Sequence, residues 1–190
     1  MFTSVGCIIL VSFLLITGTS HTSASTSNSE FIIPTLPDSH PSKATFLSSP
    51  SGLDAPKVTP VNSTSFDWWY FDAVSLDSNA SIVITFFTAT DAGFALLAPQ
   101  IEVDSVIISA SFPNGTSISV TLPAVEAIVE VEGEGSSGLW SGTGASWEGA
   151  ADLSRYVVSL DAPALGIKGT VIFESVSLCF DAKECNVNVY

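Results

Sequence analysis

The chain has 190 residues, which is room for one domain of ordinary size. Its formal net charge is −14, and its five basic residues, Lys43, Lys57, Arg155, Lys168 and Lys183, are scattered. Nucleic acid binding needs clustered cations to neutralise phosphates, so that class is excluded, and the same charge repels anionic membrane surfaces. Apolar residues make up 46% of the chain and are rich in Val, Ile, Phe and Ala. Thr, Ser and Gly fill much of the rest, a mixture that favours strands and turns over helices.

In chain order, residues 1–24 read as a signal peptide. Val5 to Ile16 is almost wholly apolar, and Thr22-Ser23-Ala24 offers a small-x-small cleavage site, although the start of the chain carries no Lys or Arg. The apolar run is shorter than the roughly 18 residues a membrane-spanning helix needs. The expected localisation is secreted or the lumen of the secretory pathway, with no membrane attachment after cleavage. Sequons at Asn62, Asn79 and Asn114 fit that route as glycosylation sites. Cys7 lies in the signal segment, which leaves Cys179 and Cys185. An oxidising compartment lets these two pair with each other, or each with a residue outside this chain.

Residues 25–60 form a Ser/Thr/Pro-rich lead-in, expected to run extended along the surface, with Phe31-Ile32-Ile33 able to dock as a short strand. Residues 61–178 read as the folded domain. Phe66–Val74 is a long strand, and Ser81–Thr90 a second one with apolar residues on both faces, so it is expected to be central and covered on each side. Val106–Phe112 and Thr116–Leu122 flank Pro113-Asn114-Gly115, a hairpin whose Asn-Gly supplies the positive φ of a tight reversal. In its second arm Thr116, Ile118, Val120 and Leu122 alternate with polar residues, the pattern of one buried and one wet face. Ala124–Glu132, Leu139–Trp147, Tyr156–Leu160 and Gly169–Ser177 complete about eight strands, punctuated by glycines. Residues 179–190 read as a tail or a truncated linker. Many short strands without a credible helix mean an all-β sandwich or barrel.

The chemical inventory is sparse. His21 and His40 lie outside the 61–178 domain, so a Ser-His-Asp or Cys-His site has no base there. Zinc would lack ligands, no metal is expected, and no cofactor is called for. Gly142-Thr143-Gly144 lacks the Lys and helix of a phosphate loop and reads as a turn. Glu126, Glu130, Glu132 and Glu134 alternate as a solvated strand face does. The segment that stands apart is Phe66-Asp67-Trp68-Trp69-Tyr70-Phe71-Asp72, with five aromatics and two acids in seven residues. On a strand Phe66, Trp68, Tyr70 and Asp72 share one face, and Asp67, Trp69 and Phe71 the other. Lining a barrel, the first face would form an aromatic wall carrying a phenol and a carboxylate. Composition alone favours core packing over that reading.

Phe66 to Ala73 resembles the opening strand of the fungal lipocalin-like Diels–Alderases, the decalin-forming pericyclases related to hydroxyneurosporene synthase-like proteins. Ser81–Thr90 and Leu165-Gly166-Ile167-Lys168-Gly169-Thr170-Val171 are similar to further strands of that family. The resemblance implies a lipocalin-like barrel or sandwich that is one domain of a usually two-domain protein, with the pocket between the domains. It implies an intramolecular [4+2] cycloaddition of an apolar polyene or polyketide-type molecule, which needs no proton transfer. Phe66 and Trp68 would then bind substrate, with Tyr70 and Asp72 as the catalytic hydrogen-bonding groups. Two other functions compete with it: a noncatalytic binding module for an apolar metabolite, and an inactive fragment. A second β-domain or a partner chain would complete the pocket.

Overall fold

The computed structural model describes residues 28–46 and 52–175. The signal segment, the tail and both Cys179 and Cys185 lie outside the described residues. The described residues form twelve strands: β1 (Ser29–Pro34), β2 (Lys43–Ala44), β3 (Val58–Thr59), β4 (Phe66–Val74), β5 (Ser81–Ala89), β6 (Asp104–Ser111), β7 (Ser117–Pro123), β8 (Glu126–Glu132), β9 (Gly135–Trp140), β10 (Ala145–Gly149), β11 (Arg155–Ala162) and β12 (Ile167–Glu174). A six-stranded antiparallel sheet runs β1-β8-β9-β10-β11-β12, and a four-stranded one runs β4-β5-β6-β7. β2 and β3 pair as a small ribbon. The two large sheets stack as an open sandwich rather than closing into a barrel.

β5 shows why the sheets meet as they do. Ile84, Phe86 and Thr88 are buried on its inner face, and Thr85, Phe87 and Ala89 on its outer face. It lies between β4 and β6 with continuous pairing, as its two apolar faces require. The β6–β7 hairpin turns at Asn114-Gly115, where Gly115 has φ +83° and Asn114 Oδ1 accepts from Thr116 N. β7 is the sheet's edge, so its apolar side is only half-covered: Val120 and Leu122 reach the core, whereas Ile118 stays exposed. On β8 Ala127, Val129 and Val131 are buried while Glu130 and Glu132 face solvent, the partition expected of a wet outer face.

One strand differs from the sequence reading. Leu139–Trp147 is two strands, β9 and β10, because Gly142 (φ +88°) and Gly144 (φ +73°) reverse the chain between them. The Thr143 hydroxyl secures that turn by donating to Trp140 O at 2.7 Å. The lead-in docks through the Phe31-Ile32-Ile33 strand that the sequence allowed: β1 pairs with β8 in full register from Ser29↔Val131 to Pro34↔Glu126 and buries Ile33. An edge strand next to the buried side of β8 gains both a hydrogen-bond ladder and apolar contact.

The core is built on indoles. Trp140 and Trp147 are fully buried and pack with Trp69 and Phe86 at ring-centroid separations of 4.6–5.6 Å. Each indole N–H has an acceptor: Trp69 donates to Asp54 O, Trp140 to Phe87 O, and Trp147 to Ser136 O. Gly138 makes room for this stack, since a Cβ there would lie 2.1 Å from the Trp147 ring. Gly138→Ala is therefore expected to lower stability by about 1–3 kcal/mol through overpacking, read as a reduced urea midpoint with an unchanged m-value.

Candidate functional site

Strand β4 separates its residues by face as period 2 demands, but the faces take roles opposite to those of a barrel lining. Trp69 and Phe71 enter the space between the sheets, and Phe66, Trp68, Tyr70 and Asp72 point away from it. The reason lies in the partners. Trp140 and Trp147 of the opposite sheet offer Trp69 a cage of rings, whereas among the described residues no sheet covers the other face.

That outer face is still organised. Phe66 stacks on Trp68 at 5.3 Å, and Phe94 lies 5.3 Å from the first and 5.0 Å from the second. Phe87 of β5 completes the group, 5.9 Å from Trp68 and 5.4 Å from Phe94. Phe94 is delivered by the turn after β5. There Gly93 passes so close to Ser65 that a Cβ would sit 2.5 Å from its carbonyl oxygen, and the Thr90 hydroxyl donates to Ser63 O. The result is a preformed aromatic surface on which Phe66 and Trp68 are each about 40% exposed and Tyr70 more than half.

β4 is also the edge of its sheet, and a cleft of about 420 Å³ opens alongside it. Asp54, Trp68, Trp69, Tyr70, Phe71, Leu153 and Tyr156 line it. At its base Asp54 Oδ2 accepts from Tyr156 Oη at 2.7 Å and from Ser136 Oγ at 2.6 Å. Burial pushes the Asp54 carboxyl above its ordinary range, against the opposing pull of those two donors and of Lys57. Burial together with the Asp54 charge pushes the Tyr156 phenol up as well. Beside it Asp67 Oδ2 accepts from the backbone N–H of Lys57 at 2.5 Å and of Val58 at 3.2 Å, which ties the segment bearing Asp54 to β4. The Asp67 carboxyl is likewise raised by burial.

Of the residues singled out from the sequence, the fold brings Trp68 and Tyr70 to this cleft. Phe66 supports Trp68 from the side, and Asp72 lies further along the outer face, away from the cleft lining. Sequence reasoning missed Asp54, Ser136 and Tyr156. Asp54 sits in a Pro-rich stretch, and its two partners lie 82 and 102 residues away, so no local pattern announces them. Asn79 and Asn114 are exposed in turns, while the Asn62 amide donates to His40 O. Among the described residues no group of three His, Cys, Asp or Glu is placed to hold a metal ion.

An open antiparallel sandwich of this kind is a lipocalin-like fold, and solved structures share it. The crystal structure of CghA with Sch210972 superimposes with a TM-score of 0.58 at 25% identity, over 78% of this chain and 39% of CghA. The family model described as Diels-Alderase-like matches residues 36–187. Quinolone epoxide rearrangement protein asqO of Emericella nidulans is 40% identical over 134 residues, which is 69% of this chain and 36% of asqO. Quinolone epoxide rearrangement protein penF of Penicillium thymicola is 38% identical over 139 residues. Diels-Alderase pyiF of Pyricularia grisea is 30% identical over 127 residues, or 65% of this chain and 29% of pyiF. The chain belongs to the Diels-Alderase-like family, and it spans well under half the length of these relatives.

Proposed function

We propose that this domain supplies the aromatic-walled half of a secondary-metabolite isomerase that holds a flat, apolar small molecule in one reactive conformer. The observation that carries this reading is the cleft beside β4, where two flat aromatic walls, Trp68 and Tyr70, meet a buried polar cluster. Rings arranged this way grip planar ligands by stacking, worth about 0.5–1.5 kcal/mol per pair beyond area burial. Holding a near-attack conformer lowers a unimolecular barrier without any cofactor.

The relatives' names point to two isomerisations, and the reading takes rearrangement of a quinolone-type epoxide first. It is supported by the 38–40% identity to the two quinolone epoxide rearrangement proteins. The [4+2] cycloaddition is supported by the Diels-Alderase relatives at about 30% identity. In that case Phe66 and Trp68 shape the wall, and Tyr70 and Asp72 hydrogen-bond the developing charge on a carbonyl. Either reaction uses the exposed rings of β4 as the surface on which a second β-domain or a partner chain closes the site. Export to the secretory lumen, with glycans on Asn62, Asn79 and Asn114, belongs to the same proposal; a mass shift on treatment with a peptide N-glycosidase tests it.

Isothermal titration with quinolin-2(1H)-one tests the cleft directly. The wild-type chain is expected to bind it, and Trp68→Ala to weaken binding about tenfold, the loss of one stacked face. Absence of binding by the wild type would sink the reading. Binding without turnover of any epoxide or polyene would leave a carrier of apolar metabolites in its place.

A further inference from the structure

The binding reading gives the aromatic walls a task but leaves the carboxyl at the base of the cleft without one. Asp54 is placed unlike an ordinary surface acid. Both side-chain hydrogen bonds it accepts go to Oδ2, from Tyr156 and Ser136, and among the described residues Oδ1 makes none. Its backbone is pinned at both ends: Asp54 N donates to Glu134 O at 2.9 Å, and Asp54 O accepts from the Trp69 indole. The carboxyl is thus held in one orientation on the wall of the cleft. Among the described residues no other carboxylic acid lines that cleft.

We propose that Asp54 is the catalytic acid of the cleft, protonating the epoxide oxygen of a planar aryl substrate stacked against Trp68 and Tyr70. The proposal rests on the isomerase reading above and names the proton donor it requires. In the step, the Asp54 Oδ1 proton passes to the epoxide oxygen as the benzylic C–O bond breaks, its electron pair leaving with oxygen. The resulting carbocation faces the π-surfaces of Trp68 and Tyr70, which attract positive charge. A neighbouring hydrogen or aryl group then migrates with its electron pair to the cationic carbon. The hydroxyl-bearing carbon becomes a protonated carbonyl, and its proton returns to the Asp54 carboxylate. Substrate and product are isomers, so no oxidant, reductant or water is consumed.

The surroundings suit a carboxyl that gives up and takes back a proton. The titratable and charged groups facing Asp54 are Lys57 on its own segment, Asp67 on β4 and Tyr156 on β11. Lys57 directs its ammonium to Gly52 O at 2.7 Å rather than to the carboxyl. Burial favours the neutral acid, and the Tyr156 and Ser136 donors steady the anion formed after transfer.

The test uses the full chain with trans-stilbene oxide, whose acid-promoted rearrangement gives diphenylacetaldehyde. Aldehyde formation by the wild type is expected to be level at low pH and to fall as pH rises through the Asp54 ionisation. Asp54→Asn should cut the rate at least 100-fold while leaving quinolin-2(1H)-one affinity within threefold, which shows that the cleft is intact. Asp54→Glu, which keeps an acid, should recover part of the rate. Tyr156→Phe removes a donor to the carboxylate, so it should move the falling limb to higher pH, a shift that a purely structural Tyr156 would not produce. An Asp54→Asn variant with the wild-type rate overturns the proposal, as does a wild type that binds the quinolinone yet forms no aldehyde above the buffer rate. In both outcomes the binding reading survives, whereas failure of the wild type to bind the quinolinone removes both.

Discussion

Trp147→Ala is expected to lower stability by about 3–5 kcal/mol, a large share of the roughly 5–15 kcal/mol that holds a domain folded. The fully buried Trp147 ring has four aromatic neighbours on three strands: Trp69 and Phe71 on β4, Phe86 on β5 and Trp140 on β9, at 4.6–5.8 Å. Its removal leaves a cavity bounded by rigid rings, which collapse poorly around a void, and strands the Ser136 carbonyl that its indole N–H satisfies. Trp147→Phe keeps most of the ring but not the donor, so it should cost less, about 1–3 kcal/mol. Chemical denaturation followed by far-UV circular dichroism ranks the two variants. A loss below about 1 kcal/mol in Trp147→Ala would mean that the two sheets are held together chiefly by other contacts.

The second large effect is a dependence of stability on pH centred on Asp104. This carboxyl points from the start of β6 into the space between the sheets, fully buried, and neither oxygen has a well-formed hydrogen bond. Burial pushes its pKa from 3.8 up to about 8, against the pull of the nearby Ala127 N–H and with the negative charge of Glu126 adding to it. Between those two values the folded state keeps a proton that the unfolded state has released. The stabilising preference for the neutral acid is therefore whole below pH 4 and is lost progressively as pH rises through about 8. Asp104→Asn keeps the shape and removes the charge. It should match the wild type near pH 4 and exceed it by at least about 2 kcal/mol at pH 9. Urea midpoints of both proteins at pH 4, 7 and 9 check this, and parallel curves would show that Asp104 is ionised or solvated throughout.

These two residues also show what a single sequence carries and what it withholds. Alternation along β4 correctly divided Phe66, Trp68, Tyr70 and Asp72 from Asp67, Trp69 and Phe71, because strand geometry allows no other division. Which side faces inward was not legible. Both sides are aromatic, and the decision rests with Trp140 and Trp147, more than seventy residues away. β5 and the Asn114-Gly115 turn were legible because their signals are local: apolar residues on two faces, and a dipeptide that accepts positive φ. The division of Leu139–Trp147 into β9 and β10 was carried by Gly142 and Gly144, which outweigh the β-formers on either side. The Asp54 cluster was invisible for a different reason. A carboxyl becomes an acid only through burial and partners that the sequence scatters across the chain.

Strand β1 has a consequence in time as well as in space. Its ladder partner β8 lies roughly a hundred residues further along the chain, and the intervening β4–β7 sheet is complete without it. At about 5–20 residues per second, a ribosome takes on the order of 5–20 s to supply β8 after β1 has emerged. Through that interval Phe31-Ile32-Ile33 is an apolar segment with no docking site, while the hairpins of the four-stranded sheet form from near neighbours. Joining β1 to β8 is thus a late, long-range event of the slow kind, and the six-stranded sheet is finished from a strand that was made first.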